Sequence, residues 1–468
     1  MHDNLRRRAL ESGKTTSNKA KSKQSSRTSS RAASATNSRA NSRLQSRDAS
    51  DDEDAAGNLS DDTNMSINSI DELLESDDIN EQTTDVMREE LTNSIDEILL
   101  TKGTSKNSRE EFLTVYVRCL TAHLFADTLY KRVGDIIKAL CRSVKAETTE
   151  KETTLALHAI ALTAITIEDD HLYDQVASVL KQSISDAEHA HVKAVAIEAL
   201  AACLTFGGVA EAEIEENMTY LLEIISSDGE FVNAVDEADV VAAAIHAYAF
   251  LATQVEDLEA ESEDAVAALL DQLDSDSVKV QIAAGETIAL LYEKSYTPRE
   301  DEESSGSDDE EDEVDGGDKS LVKRYNAYHN THQVLEKINS LSSLSTKSVG
   351  RKDRRNIHQS FASIGLTVEK PSIGLRTNKS ELKIRLHNSG EMKVDTWWKM
   401  VRLNAIRRLL SGGLVNHYYE GNHQLLNVLP MVIRDTSIGS PRKHLAKATK
   451  GRHREQRRFV SVNADNFD

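Results

Sequence analysis

The residues best equipped for chemistry in this chain are cations near its C-terminal end. Arg442, Lys443, Lys447, Lys450, Arg452, Arg454, Arg457 and Arg458 fall within 17 residues, and Glu455 is the only acid among them. Such a segment has too little apolar surface to fold alone and orders only against a polyanion. It is a candidate RNA-binding tail. Arg351, Lys352, Arg354 and Arg355 form a second, weaker candidate of the same kind. In the N-terminal arm, Arg27, Arg31, Arg39, Arg43 and Arg47 keep a four-residue spacing with one slot skipped, interleaved with serines. That pattern reads either as a phosphorylation-tunable nucleic-acid contact or as a solvated basic tail or import signal.

Other reactive groupings are sparse. Ser304, Ser305 and Ser307 stand just before a run of acids, a context suited to acid-directed kinases, and are candidate phosphorylation sites. That run, 300–318, has 12 acids and no base. It reads as a surface loop too charged to pack, either solubilising or a mimic of nucleic acid that holds the basic half in check. Ser12-Gly13-Lys14-Thr15 resembles the end of a phosphate-binding loop, but Arg8 stands where that loop needs its first glycine. The close histidine pairs, His189 with His191 and His329 with His332, have no thiol or carboxylate cluster beside them. They read as solvent-facing or satisfied histidines rather than zinc ligands. With no nucleophile elbow and no His-Glu-x-x-His, the expectation is a non-enzyme with no metal, cofactor or small-molecule substrate.

The elements that must position these cations are helices. Residues 101–299 hold 15 basic and 35 acidic residues, net −20, between an arm (1–47) of net +10 and a C-terminal part (319–468) of net +17. An acidic middle thus separates two basic ends within a total of −22, and basic ends are what meet phosphate. Cys119, Cys141 and Cys203 are odd in number, widely spaced and set on apolar stripes, so they read as buried thiols in a reducing compartment. Apolar runs of membrane-spanning length and a signal-peptide core are both missing, which predicts a soluble, intracellular protein without a membrane partner.

Within the acidic middle, apolar residues recur at helical spacing. Stripes beginning at Leu157, Ala196, Val241 and Ile282 alternate with stripes beginning at Val133, Val176, Met218 and Val266. Two interleaved series with a period of roughly 40–47 residues predict an armadillo/HEAT-like solenoid. Ser277–Lys294 is its most regular helix, with Val280, Ala284, Ile288 and Leu291 on one face and Lys279, Gln281, Glu286 and Glu293 left for the solvent or rim side. Gly285, in the middle, permits close approach of a neighbouring backbone. This helix is expected to be the last rung, closed off by Thr297-Pro298.

Beyond the acidic run, the pattern predicts a helix over 319–345. Short strands are expected at Ile364, Leu366 and Val368 and again at Leu382, Ile384 and Leu386. Val394, Trp397, Trp398, Val401, Ala405 and Leu409 then make an amphipathic helix stopped by Gly412-Gly413. The tryptophans offer base-stacking rings, although helical spacing more often means core. The fold expected is mainly α, a helical solenoid followed by a small α+β domain. Its parts are a disordered arm at 1–84, repeats at 85–296, the acidic loop at 297–318, the small domain at 319–433 and the tail at 434–468.

Three segments resemble the interferon-related developmental regulator family. Ile282-Ala-Ala-Gly-Glu-Thr-Ile-Ala-Leu-Leu-Tyr292 resembles its most recognisable helix, and Leu140–Val144 with helix 155–167 resembles its early repeats. Arg351–Phe361, Val394–Trp398, Gly412–Leu414 and the tail Pro441–Arg458 resemble its C-terminal part. The resemblance implies a helical-repeat body without catalysis. It also implies partners: translationally inactive ribosomes (rRNA and ribosomal proteins), with the C-terminal segment in the mRNA path, or nuclear co-repressor proteins bound by a transcriptional co-regulator. The first implies cytoplasmic residence and the second nuclear.

Overall fold

The computed structural model describes residues 81–100, 106–298, 321–343, 351–373, 382–387, 390–429 and 432–434. The arm, the acidic run with Ser304, Ser305 and Ser307, and the basic tail lie outside the described residues. Helices dominate. In order they are α1 (Glu81–Leu99), α2 (Lys106–Ala122), the single turn α3 (Ala126–Leu129), α4 (Val133–Ala146), α5 (Glu150–Thr166), α6 (Leu172–Asp186) and α7 (Ala190–Phe206). Then come α8 (Glu211–Ser226), α9 (Ala238–Ala252), α10 (Glu259–Gln272) and α11 (Val278–Lys294).

These helices stack in two rows. The second row, α2, α5, α7 and α9 followed by α11, packs each helix on the next, while α1, α4, α6, α8 and α10 form the first row and pair with them. The two stripe series seen in the sequence are these two rows. From α5 to α11 the second-row helices are apolar nearly all round: Ala159 to Thr166 is continuously buried, as is Ile282 to Tyr292. A helix buried on every side has no solvent stripe to keep polar. Some polar groups inside the stack pair with one another, as where the Tyr116 hydroxyl meets Thr163 Oγ1 at 2.8 Å. Arg109 ties four helices at the N-terminal end: it pairs with Glu152 at 3.0 Å and donates to Ser143 Oγ and to the carbonyls of Ile98 and Ala139.

The stack does not stop at α11. Tyr296–Pro298 is strand β1, paired antiparallel with β2 (Leu321–Lys323), and the chain then forms α12 (Thr331–Ser342) and α13 (Arg351–Glu369). α13 continues the second row against α11, with α12 as its partner. Four expectations are corrected here. Helix 319–345 shrinks to 331–342 because its first residues pair as a strand. Ile364, Leu366 and Val368 are not a strand but part of α13. Their alternation is accidental, since Ile357, Phe361, Ile364 and Val368 are the buried set and their spacing is helical. Nor is α11 the last rung. What approaches Gly285 is not backbone: a β-carbon there would lie 2.8 Å from both Phe361 Cε1 and Ile364 Cδ1.

The chain then turns back. β3 (Leu382–His387), β4 (Gly390–Val394) and β5 (Val432–Arg434) form a three-stranded antiparallel sheet in that order, with Ile384 opposite Met392 and Glu391 opposite Ile433. The strand read at Leu382 to Leu386 is present. Val394 belongs to β4 rather than to the following helix, α14 (Trp397–Leu410), and two short helices follow, α15 (Leu414–Tyr419) and α16 (His423–Val428).

Candidate partner surface

The second row would offer a long open face, the usual receptor surface of a helical array. This chain covers it with its own C-terminal segment. α14 packs across α11, α9, α5 and α2, α15 sits on α2, and α16 returns over α5. The strap is held by hydrogen bonds to the carbonyls at the second-row helix ends, which have no intrahelical donor. Arg402 donates to Thr253 O (2.6 Å) and Thr253 Oγ1 (2.9 Å) after α9. Gln424 Nε2 reaches Phe206 O at the end of α7 (3.2 Å), and Asn422 Nδ2 reaches Ile165 O at the end of α5 (2.9 Å). At α2, Asn416 Nδ2 donates to Ala122 O (3.0 Å) and His417 Nε2 to Leu120 O (2.8 Å).

Carboxylates fasten both ends of the strap. Glu293, on α11, accepts the first backbone N–H groups of α14, from Trp397 (2.8 Å) and Trp398 (3.1 Å), and so caps that helix. Burial pushes its carboxyl up to about 7, against the pull of those two donors. Glu420 accepts from Leu124 N (2.5 Å) and lies 2.8 Å from His123 Nδ1. His417 is held below the ordinary imidazole range by burial, so Nε2 carries its proton toward Leu120 O and Nδ1 accepts from Asn422 Nδ2 at 3.2 Å. Beside Glu293, the Lys294 ammonium donates to Ala252 O (2.9 Å) and to Val255 O, and burial lowers it to about 8.

The tryptophans divide. Trp397 is fully buried and donates to Thr367 Oγ1 at 2.8 Å, so it is core. Trp398 is half-buried, and its ring face is taken by the Arg402 guanidinium at 5.0 Å. His329, in the turn before α12, pairs with Glu263 on α10, and His189, His191, His329 and His332 are all exposed. Among the described residues no group of three metal-ligating side chains converges. Cys119, Cys141 and Cys203 are buried free thiols, pushed up by burial. No helix among the described residues is long and apolar enough to cross a membrane.

Of the sequence-derived site residues, Arg351, Lys352, Arg354 and Arg355 open α13, and their side chains lie outside what is described. Arg442 to Arg458 follow β5, the last described element, which hydrogen-bonds to β4 at the root of the strap. Sequence reasoning did not single out Arg402, His417, Glu420 or Asn422, and it set Glu286 and Glu293 on the solvent or rim side of α11, whereas Glu286 is buried and Glu293 caps α14. The available signal was isolated polar residues inside otherwise apolar helices, together with a glycine pair too close to the next helix to be a simple stop.

The profile of the interferon-related developmental regulator family matches residues 57–369, from before α1 to the last residue of α13. The chain belongs to that family. The match thus ends where the two-row stack ends, and the sheet and strap lie beyond it. An uncharacterized protein of Schizosaccharomyces pombe is 29% identical over 336 residues, 70% of this chain and 72% of the relative.

Proposed function

We propose that this family member is a non-enzymatic ribosome-associated factor. It binds translationally inactive ribosomes through its basic C-terminal tail, which lies in the mRNA path. The observation that carries this reading is the tethering of opposite charges. A repeat body of net −20 ends, through β5, in a segment with eight cations among 17 residues. An acidic body is repelled by open RNA, so the body rests against protein while the tail enters an RNA-lined channel.

The alternative is a transcriptional co-regulator that binds nuclear co-repressor proteins on its helical face. The strap counts against that reading, because α14 to α16 already occupy the second-row face. A sucrose-gradient profile of the tagged protein from growing and starved cells separates the two. Co-migration with empty ribosomes that rises on starvation and is RNase-sensitive supports the ribosomal reading. RNase-resistant recovery with chromatin proteins, and none with ribosomes, refutes it.

A further inference from the structure

The turn between α8 and α9 is built more firmly than a connection needs. Asp228, Asn233 and Asp236 take left-handed backbone angles (φ 51°, 55° and 58°), as does Gly229 at 83°. A β-carbon on Gly229 would lie 2.2 Å from Ala234 O. Such angles persist only where the surroundings over-determine them. Here Val232 is wholly buried, and its carbonyl accepts from Lys193 Nζ at 2.6 Å. The same ammonium, of a lysine only 3% exposed, also holds Ser185 O (2.7 Å) and Ile184 O (3.2 Å).

With Val232 fixed inward, its neighbours are fixed outward. Phe231 is 51% exposed and Val235 60% exposed, two of the five large apolar side chains left exposed among the described residues. Phe231 stands edge-on to the Tyr220 ring with centroids 5.7 Å apart, so its position is set from below. Around the pair lie exposed Asp228, Glu230, Asp236 and Glu237. The wider field has one sign: from residue 194 to residue 278 there are 20 acidic residues and no Lys or Arg.

We propose that this turn is a docking point for a Lys/Arg-rich protein segment that carries an aliphatic or aromatic side chain. The apolar pair supplies the anchor and the acidic field selects the charge of the partner. The same field repels nucleic acid, anionic lipid and a second copy of the turn. The inference does not depend on the tail binding RNA.

The test uses the full chain and two labelled 16-residue peptides of alternating Arg and Ser, one with a central Leu-Phe pair and one with Ser-Ser. Fluorescence anisotropy at low salt is expected to show the Leu-Phe peptide binding about tenfold more tightly. In Phe231→Ser/Val235→Ser, whose changed side chains are exposed, that preference disappears while the melting temperature stays. Glu230→Lys with Glu237→Lys weakens both peptides. The proposal is overturned if the parent does not discriminate between the peptides, if the apolar double variant keeps the preference, or if the charge variant binds both unchanged. It is also overturned if neutralising Arg442 to Arg458 raises affinity for the Leu-Phe peptide about tenfold, since the chain's own tail would then be the occupant.

Discussion

Gly413 and Thr121 approach so closely that a β-carbon on Gly413 would stand 1.7 Å from the Thr121 carbonyl oxygen. The contact joins the corner between α14 and α15 to the end of α2, and backbone cannot move aside as a flexible side chain can. Gly413→Ala is therefore expected to lift α15 and α16 off the second row, at a cost of about 2–4 kcal/mol. Amide exchange should accelerate in α15 and α16 and stay slow in α5 and α7. Uniform exchange in parent and variant would mean that the corner tolerates a side chain.

Ile288 is fully buried on α11, within a stretch where every residue from Ile282 to Tyr292 is buried. Ile288→Asp places an unpaired carboxylate there and should cost several kcal/mol, on the order of the whole stability margin. Thermal denaturation of the purified variant checks this, and an unchanged transition would mean that the face is open.

Glu286 gives the stack a pH dependence of definite sign. Burial raises its carboxyl from 4.5 to about 7, with Arg408 pulling the other way. The folded state therefore holds this proton more tightly than the unfolded state. The resulting stability is full below 4.5, is lost as pH rises through about 7, and stays lost above. The shift corresponds to about 3 kcal/mol at most. Glu286→Gln removes the titration, so its melting temperature should exceed the parent's at pH 8 and fall less between pH 5 and pH 8. Parallel pH profiles would show that the carboxyl is not buried as described.

Much of this architecture was legible in the sequence because periodicity is a direct record of burial. Leu157, Ala196, Val241 and Ile282 mark the second row, and the row exists. The end of the stack was misplaced at α11 because Thr297-Pro298 and the acidic run look like a terminus, while Phe361 and Ile364 fill the space over Gly285 from beyond that run. The strap was illegible for a different reason. Its bonds run from Arg402, Gln424, Asn422 and His417 to backbone carbonyls, and a carbonyl leaves no mark on residue identity. What remained visible was the lack of a polar face on α5, α7 and α9, which signals cover on every side.

The strap and α13 also predict that the two halves of the chain stay together when the connection is cut. A site-specific protease site placed within 299–318 should yield fragments that co-elute on size exclusion without denaturant, because α13 packs on α11 and α14 on α9. Separate elution of the fragments would contradict the shared stack.

The central claim is that the tail tethered at β5 is the ribosomal anchor, and co-sedimentation tests it most directly. Changing Arg442, Lys443, Lys447, Lys450, Arg452, Arg454, Arg457 and Arg458 to Gln should leave the melting temperature unchanged and abolish co-sedimentation with empty ribosomes. For the parent, neutralising about five phosphates predicts that log affinity falls against log salt with a slope of about −3 to −5. A variant that travels with the ribosome as well as the parent does would contradict the account.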